Sequence, residues 1–203
     1  MPLMSEATKP VPAKPSPGKR VLKAGLIVAG LLVAAFAAMA GIGATIPQGH
    51  VASARVPLSA PPETIWAIVH DFETWPEWQP GVHRIERLPD RDGKPVWVQS
   101  TDHGELPIAV EKSEPPWLLR TRIADPELPF GGTWTWRIEA DGEGSVVTLT
   151  EDGEIKSAVF RFFAHHVFGY HATMEAYLAA LAKKLGDARA EVERTAVQFP
   201  PKD

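Results

Sequence analysis

The chain has 203 residues, no cysteine, and a formal net charge of −4 that is unevenly distributed. Residues 1–23 carry a net charge of +4, residues 24–46 carry no charged side chain, and residues 47–203 carry −8. The lack of cysteine excludes disulfides, a thiol nucleophile and cysteine-ligated metals, and the acidic body argues against a protein that mainly binds nucleic acid. The body has the length of one domain with a well-buried core.

The first 23 residues are basic and rich in proline. Five prolines fall between residues 2 and 19, among Lys, Ser and Ala. Such a composition cannot bury enough apolar surface to offset the entropy of ordering the chain. It predicts a disordered head over residues 1–23.

Ala24–Ile46 is a continuous apolar run of 23 residues. As a helix it would span about 34 Å, enough to cross a hydrocarbon core of about 30 Å. Two interpretations stay open: a retained single-span anchor, which fits better because the run continues to Ile46, and a signal peptide cleaved near Ala40 to release a secreted domain. Positive charges precede the run, which predicts a cytoplasmic N-terminus and a periplasmic or extracellular C-terminal domain at the cell membrane.

The body begins with a strand followed by a short helix. Val51–Leu58 alternates and is rich in β-branched residues, as strands are. Ser59 is placed to cap a helix that has prolines in its first turn and extends to about Asp71. Residues 72–81 contain two prolines and a glycine and allow only a short helical turn.

Strand patterns alternate with turns over residues 83–152. Six candidate strands are separated by turns rich in Gly, Asp and Pro: His83–Leu88, Pro95–Ser100, Glu105–Ser113, Trp117–Ile123, Thr133–Ala140 and Ser145–Asp152. The short connections indicate an antiparallel meander.

A long helix is predicted to follow the meander. Ser157–Leu185 lacks proline and repeats apolar residues at steps of three and four, which predicts an amphipathic helix of seven or eight turns that ends near Gly186. Residues 187–203 are predicted to be a flexible tail. Since such a helix needs an apolar surface, the elements predict an α+β fold in which a curved antiparallel sheet of about seven strands wraps around the C-terminal helix.

Three segments carry a resemblance to a known family. Val56–Trp66, Asp71–Val82 and Phe168–Leu178 resemble the first and last parts of SRPBCC (START-like, helix-grip) domains of the polyketide cyclase/dehydrase and lipid-transport group, so the domain is assigned to residues 47–186. The resemblance implies a hydrophobic cavity between the sheet and the long helix, open near the small helices. It implies a lipid, isoprenoid or polyketide-like ligand, which most members bind or carry and a minority cyclise or dehydrate. It assigns no catalytic residue.

Aromatic residues and histidines are the candidate ligand-binding residues. Tryptophans at a spacing of three in the mouth segment, and of two on one strand, would form an apolar wall whose indole N–H groups orient a ligand. The alternative is that they only fill the core. The full candidate set is Trp75, Trp78, His83, Trp134, Trp136, Phe163, His166 and Tyr170.

The sequence favours binding over catalysis. Histidines of the long helix are separated by one, five and six residues, which does not fit a metal-binding face, and no metal or cofactor is predicted. The main hypothesis is a protein anchored in the membrane through Ala24–Ile46 that binds a hydrophobic small molecule. One alternative is a cyclase/dehydrase-type enzyme with His166, His83 or Glu151 as its proton shuttle, although helix capping also explains Glu151. The other is an interaction module with a collapsed cavity. The oligomeric state is open.

Overall fold

The structure is a computed structural model that describes residues 17–187 and 190–200. The chain divides into two compact units, residues 1–39 and residues 40–203. Of the predicted head, residues 1–16 lie outside the described residues, and the chain is helical from Pro17 onwards.

The first unit contains most of a single long helix, α1 (Pro17–Thr45). Its stretch Val21–Thr45 has a mean hydropathy of 2.4 and is long and apolar enough to cross a membrane. An apolar helix near the N-terminus is typical both of a membrane span and of a signal sequence.

The second unit is an α+β domain, and this confirms the predicted fold class. Its helices are α2 (Pro62–His70), α3 (Trp75–Trp78), α4 (Ala158–Phe163) and α5 (Ala172–Lys184), with a 3₁₀ turn at Phe72–Thr74 and a π-helical turn at Ala164–Phe168. Its strands are β1 (Gly49–Leu58), β2 (Val82–Arg91), β3 (Lys94–Thr101), β4 (Gly104–Glu114), β5 (Leu118–Ile123), β6 (Phe130–Asp141), β7 (Gly144–Ile155) and β8 (Glu193–Arg194).

The described strands form one open antiparallel sheet. Their order is β2-β3-β4-β5-β6-β7-β1-β8, so the last strand of the meander, β7, pairs with the first strand of the domain, β1. α5 packs on β1 and β7, and α2 packs on β6. The sheet therefore covers one side of α5, as a helix-grip arrangement requires.

One end of the domain is filled by apolar side chains, and we call it the packed end. Sheet and helix residues meet there with at most 1% of their surface exposed: Leu119, Ile138, Val147, Leu149, Met174, Leu178 and Leu181. The inner positions of each strand follow the two-residue alternation of the sequence, and those of α5 follow the three- and four-residue steps.

The predicted long C-terminal helix is interrupted. α4 ends at Phe163, the π-helical turn follows, and Gly169 has φ of +73°. This left-handed conformation is easy for glycine and ends the helix, so α5 starts afresh at Ala172. The apolar periodicity did not reveal the break because it continues on both sides of it.

The start of α2 also differs from the prediction. Ser59 does not cap this helix; its backbone N–H and its hydroxyl both donate to the Asp187 carboxylate at 2.8 Å. Pro61 occupies the N-cap position of α2 and makes no side-chain cap bond.

The segment after Asp187 was expected to be flexible, and its described part runs beside β1. β8 pairs with Ala54 and Arg55, and the backbones of Val51 and Gln198 exchange hydrogen bonds of 2.7 and 2.8 Å. Residues 188–189 and 201–203 of the predicted tail lie outside the described residues. The sheet thus gains a short edge strand that the charged sequence of this segment did not indicate.

Candidate functional site

A cavity of about 750 Å³ lies at the opposite end of the domain, which we call the cavity end. α3, strands β3–β7, α4 and α5 all contribute side chains to its lining. Tryptophans and aliphatic residues form most of the wall: Trp75, Trp134, Trp136, Leu106, Ile108 and Ile123. A largely apolar cavity of this size suits a small organic ligand.

Local structure fixes the tryptophans of this wall. The Trp75 indole N–H donates to the Val69 carbonyl at 3.1 Å, and the side chain is almost fully buried. Trp134 and Trp136 alternate on β6, so both point to the inner face, and the Trp134 ring lies 6.0 Å from that of Tyr177. The Trp75 ring is therefore held in place by its hydrogen bond and by burial.

The other candidates from the sequence lie outside this lining. Trp78 packs edge-on against Trp136, with 6.3 Å between ring centroids. His83 is exposed and contacts Asp102 at 2.6 Å, beside the cavity mouth. His166 is exposed next to Phe162, because the π-helical turn carries it away from the register of α5.

Phe163 and Tyr170 likewise belong to a neighbouring cluster and not to the cavity wall. Phe163 stacks on Phe168, with 6.0 Å between ring centroids, and Tyr170 lies 4.4 Å from the ring of His50. Burial raises the pKa of the Tyr170 phenol above its ordinary value. The break at Gly169 separates Phe163 from α5, and Tyr170 precedes the first residue of α5, Ala172.

Polar side chains also line the cavity. Gln79, Gln99 and Thr121 are at most 5% exposed, and Tyr177 faces the same space from α5. Burial raises the pKa of the Tyr177 phenol; a hydrogen bond with Gln79 opposes the shift, and the negative charge of Glu151 adds to it. Buried polar groups of this kind need partners.

Gln79 is one of two described residues with a buried side-chain atom that has no hydrogen-bond partner. Its Oε1 is unsatisfied, as is the indole nitrogen of Trp78. The backbone explains why Gln79 is fixed here: its N–H donates to the Trp75 carbonyl at 2.8 Å and closes α3, and the chain then turns at Gly81, where φ is +79°. The backbone of Gln79 is thus held in place, and its buried amide presents an open acceptor.

Glu151 is the carboxylate on the inner wall. β7 continues to Ile155, so Glu151 lies within the strand, on the same face as Leu149, and lines the cavity. The capping explanation for Glu151 is wrong, since the Ser157 hydroxyl caps α4 by accepting from the Phe160 N–H.

His50 lies beside this carboxylate. Its Nε2 is 3.7 Å from Glu151 Oε2, longer than a hydrogen bond, and its ring is almost fully buried. Gly153 makes room for the ring, because a Cβ at this position would lie 2.6 Å from His50 Cε1. In the part of the chain that the structure describes, no three His, Asp or Glu side chains converge as a metal site would require.

Two kinds of residue surround the cavity mouth. The turn between β3 and β4 contributes Asp102 and His103, and the start of β4 contributes Glu105. Phe130 and Phe160 contribute apolar side chains. Both phenylalanines are unusually exposed for their size, at 38% and 52%. The mouth is therefore acidic on one side and aromatic on the other.

A buried arginine holds α4 at the cavity end. Arg161 donates to the carbonyls of Gly43, Ile155 and Lys156 at 2.8–2.9 Å. Gly43 permits close contact with α4, since a Cβ there would lie only 1.8 Å from the Ala158 carbonyl oxygen. The last turn of α1 is thereby attached to the start of α4.

The fold and the cavity together define a START-like helix-grip domain. A family model described as "Polyketide cyclase / dehydrase and lipid transport" matches residues 50–186. The chain belongs to this family, as the resemblance in the sequence predicted. No curated protein matches the chain by sequence.

Solved structures share the fold at low sequence identity. A START superfamily protein from Mycobacterium smegmatis is 23% identical, with 68% of this chain and 98% of that chain covered and a TM-score of 0.54. Norcoclaurine synthase from Thalictrum flavum is 14% identical, with 70% and 96% covered and a TM-score of 0.53. The di-domain ARO/CYC StfQ from the steffimycin biosynthetic pathway is 18% identical at a TM-score of 0.55; the match covers 70% of this chain and 52% of that longer chain.

Proposed function

We propose that the protein is a membrane-anchored carrier that binds a hydrophobic small molecule in the cavity. The observation that carries the proposal is a cavity of about 750 Å³ lined by three tryptophans, in a domain that begins directly after an apolar helix. Burial of a ligand would contribute about 25 cal/mol per Å² of apolar surface. The polar groups of the wall would orient it.

The membrane part of the proposal rests on α1 and the residues that follow it. We propose that α1 is retained as a single span with its basic end in the cytoplasm, because positive charges precede the apolar stretch. The domain would then be periplasmic or extracellular. Cleavage near Ala40, giving a secreted protein, is the alternative outcome.

The attachment of α4 to Gly43 supports loading of the cavity from the bilayer. Gly43 lies in the last turn of the apolar helix, so the residues that contact it are close to the level at which the chain leaves the membrane. Phe160 on α4 lines the cavity and is half exposed. Val167 and Phe168, at 59% and 70% exposed, extend the apolar surface beside α4. An exposed apolar surface of this kind suits contact with lipid.

The structure offers less support for the two alternatives. A module with a collapsed cavity does not account for a space of this volume. For an enzyme of the cyclase/dehydrase kind, only Glu151 of the three candidate proton shuttles lines the cavity, since His83 is exposed beside the mouth and His166 is exposed next to Phe162.

A variant that fills the cavity tests the proposal. Thr121 is buried on the inner face of β5 and lines the cavity, so Thr121→Phe should place a ring in the ligand space. Thr148→Phe, on the outer face of β7, is the matched control. Native mass spectrometry of the full chain, extracted gently from membranes, should detect a bound apolar molecule on the wild type and the control, and should lose it from Thr121→Phe. Equal recovery from all three proteins, or only empty wild-type protein, would refute the carrier proposal.

A further inference from the structure

We infer that the cavity binds an amine attached to an apolar body. Glu151 binds the positively charged, hydrogen-bond-donating end of this ligand. The inference rests on the proposed function and adds the chemical class of the ligand. Two observations support it. The cavity wall contains hydrogen-bond acceptors without donors, and its side chains carry more negative than positive charge.

The first observation is the set of open acceptors. Glu151 presents a carboxylate to the cavity, and an ionised carboxylate only accepts hydrogen bonds. Gln79 lines the same space and is only 4% exposed. Its Oε1 accepts no hydrogen bond from any described residue. Both acceptors line the same cavity, so a ligand that donates hydrogen bonds can supply partners for them.

The second observation is the sign of the charge around the cavity. Its lining contains three carboxylates, those of Glu151, Asp102 and Glu105, and no lysine or arginine of the described residues. His103 at the mouth is the one lining side chain that gains positive charge on protonation. A fatty acid or phosphate ester would bring a second negative charge next to Glu151, whereas an ammonium group would be attracted to it.

The basic side chain that the structure places next to Glu151 is not part of the cavity lining. His50 lies 3.7 Å from the carboxylate, which is too long for a hydrogen bond. The buried Arg161 is engaged by three backbone carbonyls and does not line the cavity either. The Glu151 carboxylate can therefore still act as the counter-ion of a ligand.

The aromatic wall adds to this preference. Trp134 pairs with Glu151 in the sheet and lines the cavity, and Trp136 follows on the same face. The face of an indole ring attracts a cation within about 6 Å of its centroid. The apolar body of the ligand and its charged end would thus both find complementary groups.

Three probes that differ only in their polar end test the inference. They are 2-naphthylmethylamine, 2-naphthylmethanol and 2-naphthoate, titrated by calorimetry at pH 7.5 into the full chain in phosphatidylcholine nanodiscs, with empty nanodiscs as the blank. We expect the amine to bind at least about threefold tighter than the alcohol and about tenfold tighter than the carboxylate. Smaller ratios, or any order in which the amine is not the tightest, would overturn the inference while leaving the carrier function intact.

Charge removal at one residue then assigns the preference to Glu151. Glu151→Gln should reduce the amine-to-carboxylate ratio by about tenfold. Asp152→Asn removes the same charge from the neighbouring residue on the other face of β7 and should leave the ratio unchanged. An equal loss in both variants would show a general effect of net charge and contradict the assignment. If none of the probes binds the wild type, both the inference and the carrier function fail.

Discussion

The packed end and the cavity end are built from the same strands and the same helix, and they differ in what those elements carry. On β7, Val147 and Leu149 are fully buried, whereas the next inner position is Glu151. On α5, Leu178 is fully buried, and the neighbouring Tyr177 lines the cavity. The same strands and the same helix thus form a filled core and an open site, because the apolar contacts that stabilise the fold are concentrated at the packed end.

The two ends are also held together by different interactions. At the packed end the contacts are apolar, and their contribution grows with buried area. At the cavity end α4 is held by the three hydrogen bonds of Arg161, and the 750 Å³ space beside it removes the possibility of close packing. Polar contacts can hold a helix beside a cavity, where apolar packing has fewer partner atoms.

The largest expected effect is a difference between the two ends in the free energy of unfolding that is lost when a leucine is truncated to alanine. Leu149→Ala should lower the free energy of unfolding by about 2–5 kcal/mol, because the removed atoms leave a new cavity in a filled core. Leu106→Ala, at the half-buried wall of the existing cavity, should cost about 1 kcal/mol. Urea unfolding of the full chain in detergent, followed by tryptophan fluorescence, measures both. Equal costs would mean that the cavity end is as tightly packed as the other.

The next effect concerns the polar attachment of α4. Arg161→Met should lower the free energy of unfolding by about 2–3 kcal/mol, because three carbonyls lose a charged donor. Arg161→Lys should have a free energy of unfolding between those of Arg161→Met and the wild type, since an ammonium group lacks the planar fork of donors. The same urea experiment applies.

Arg122→Met is the matched control, because Arg122 is half exposed on the sheet. It should cost less than about 1 kcal/mol. A cost for Arg161→Met no larger than that of the control would contradict the role of Arg161 in holding α4.

The sequence was sufficient to predict β1 to β7 and the inner face of β6. Two-residue alternation placed Trp134, Trp136 and Ile138 on one face, and the structure buries Trp136 and Ile138 there. The same rule, extended from Leu149 by two residues, would have placed Glu151 on the inner wall. The capping interpretation obscured this signal because the predicted strand ended at Asp152, three residues before its actual end at Ile155.

Other features of the cavity end had no signal in one sequence. Arg161 reads as an exposed residue, since arginine is rarely buried without partners, and its partners are backbone carbonyls that no sequence pattern marks. Gly169 stands within a helical pattern and reveals its positive φ only in three dimensions. The open acceptor of Gln79 depends on which groups fail to reach it, and spacing along the chain does not determine this.

The smallest expected effect lies on the outer face of the strands that wall the cavity. Glu111 on β4 hydrogen-bonds the Arg122 side chain of β5, and this contact holds the pKa of the Glu111 carboxyl below its ordinary value. A pKa that is lower in the folded state stabilises the fold above the unfolded pKa of about 4.3, and this contribution is lost as the pH falls through the folded value. Because Arg122 is half exposed, solvent screening limits the coupling to less than about 1 kcal/mol at pH 7.

A double-mutant cycle of Glu111→Gln and Arg122→Gln measures this coupling by urea unfolding at pH 7 and at pH 3. The coupling energy should be positive at pH 7, smaller in 1 M salt, and smaller at pH 3 than at pH 7. Glu139→Gln, an exposed carboxylate on β6, should show no comparable dependence on Arg122. A coupling that changes with neither salt nor pH would show that the pair acts through packing of its side chains, and the outer face of the cavity end would then resemble the packed end more closely than the burial of its residues indicates.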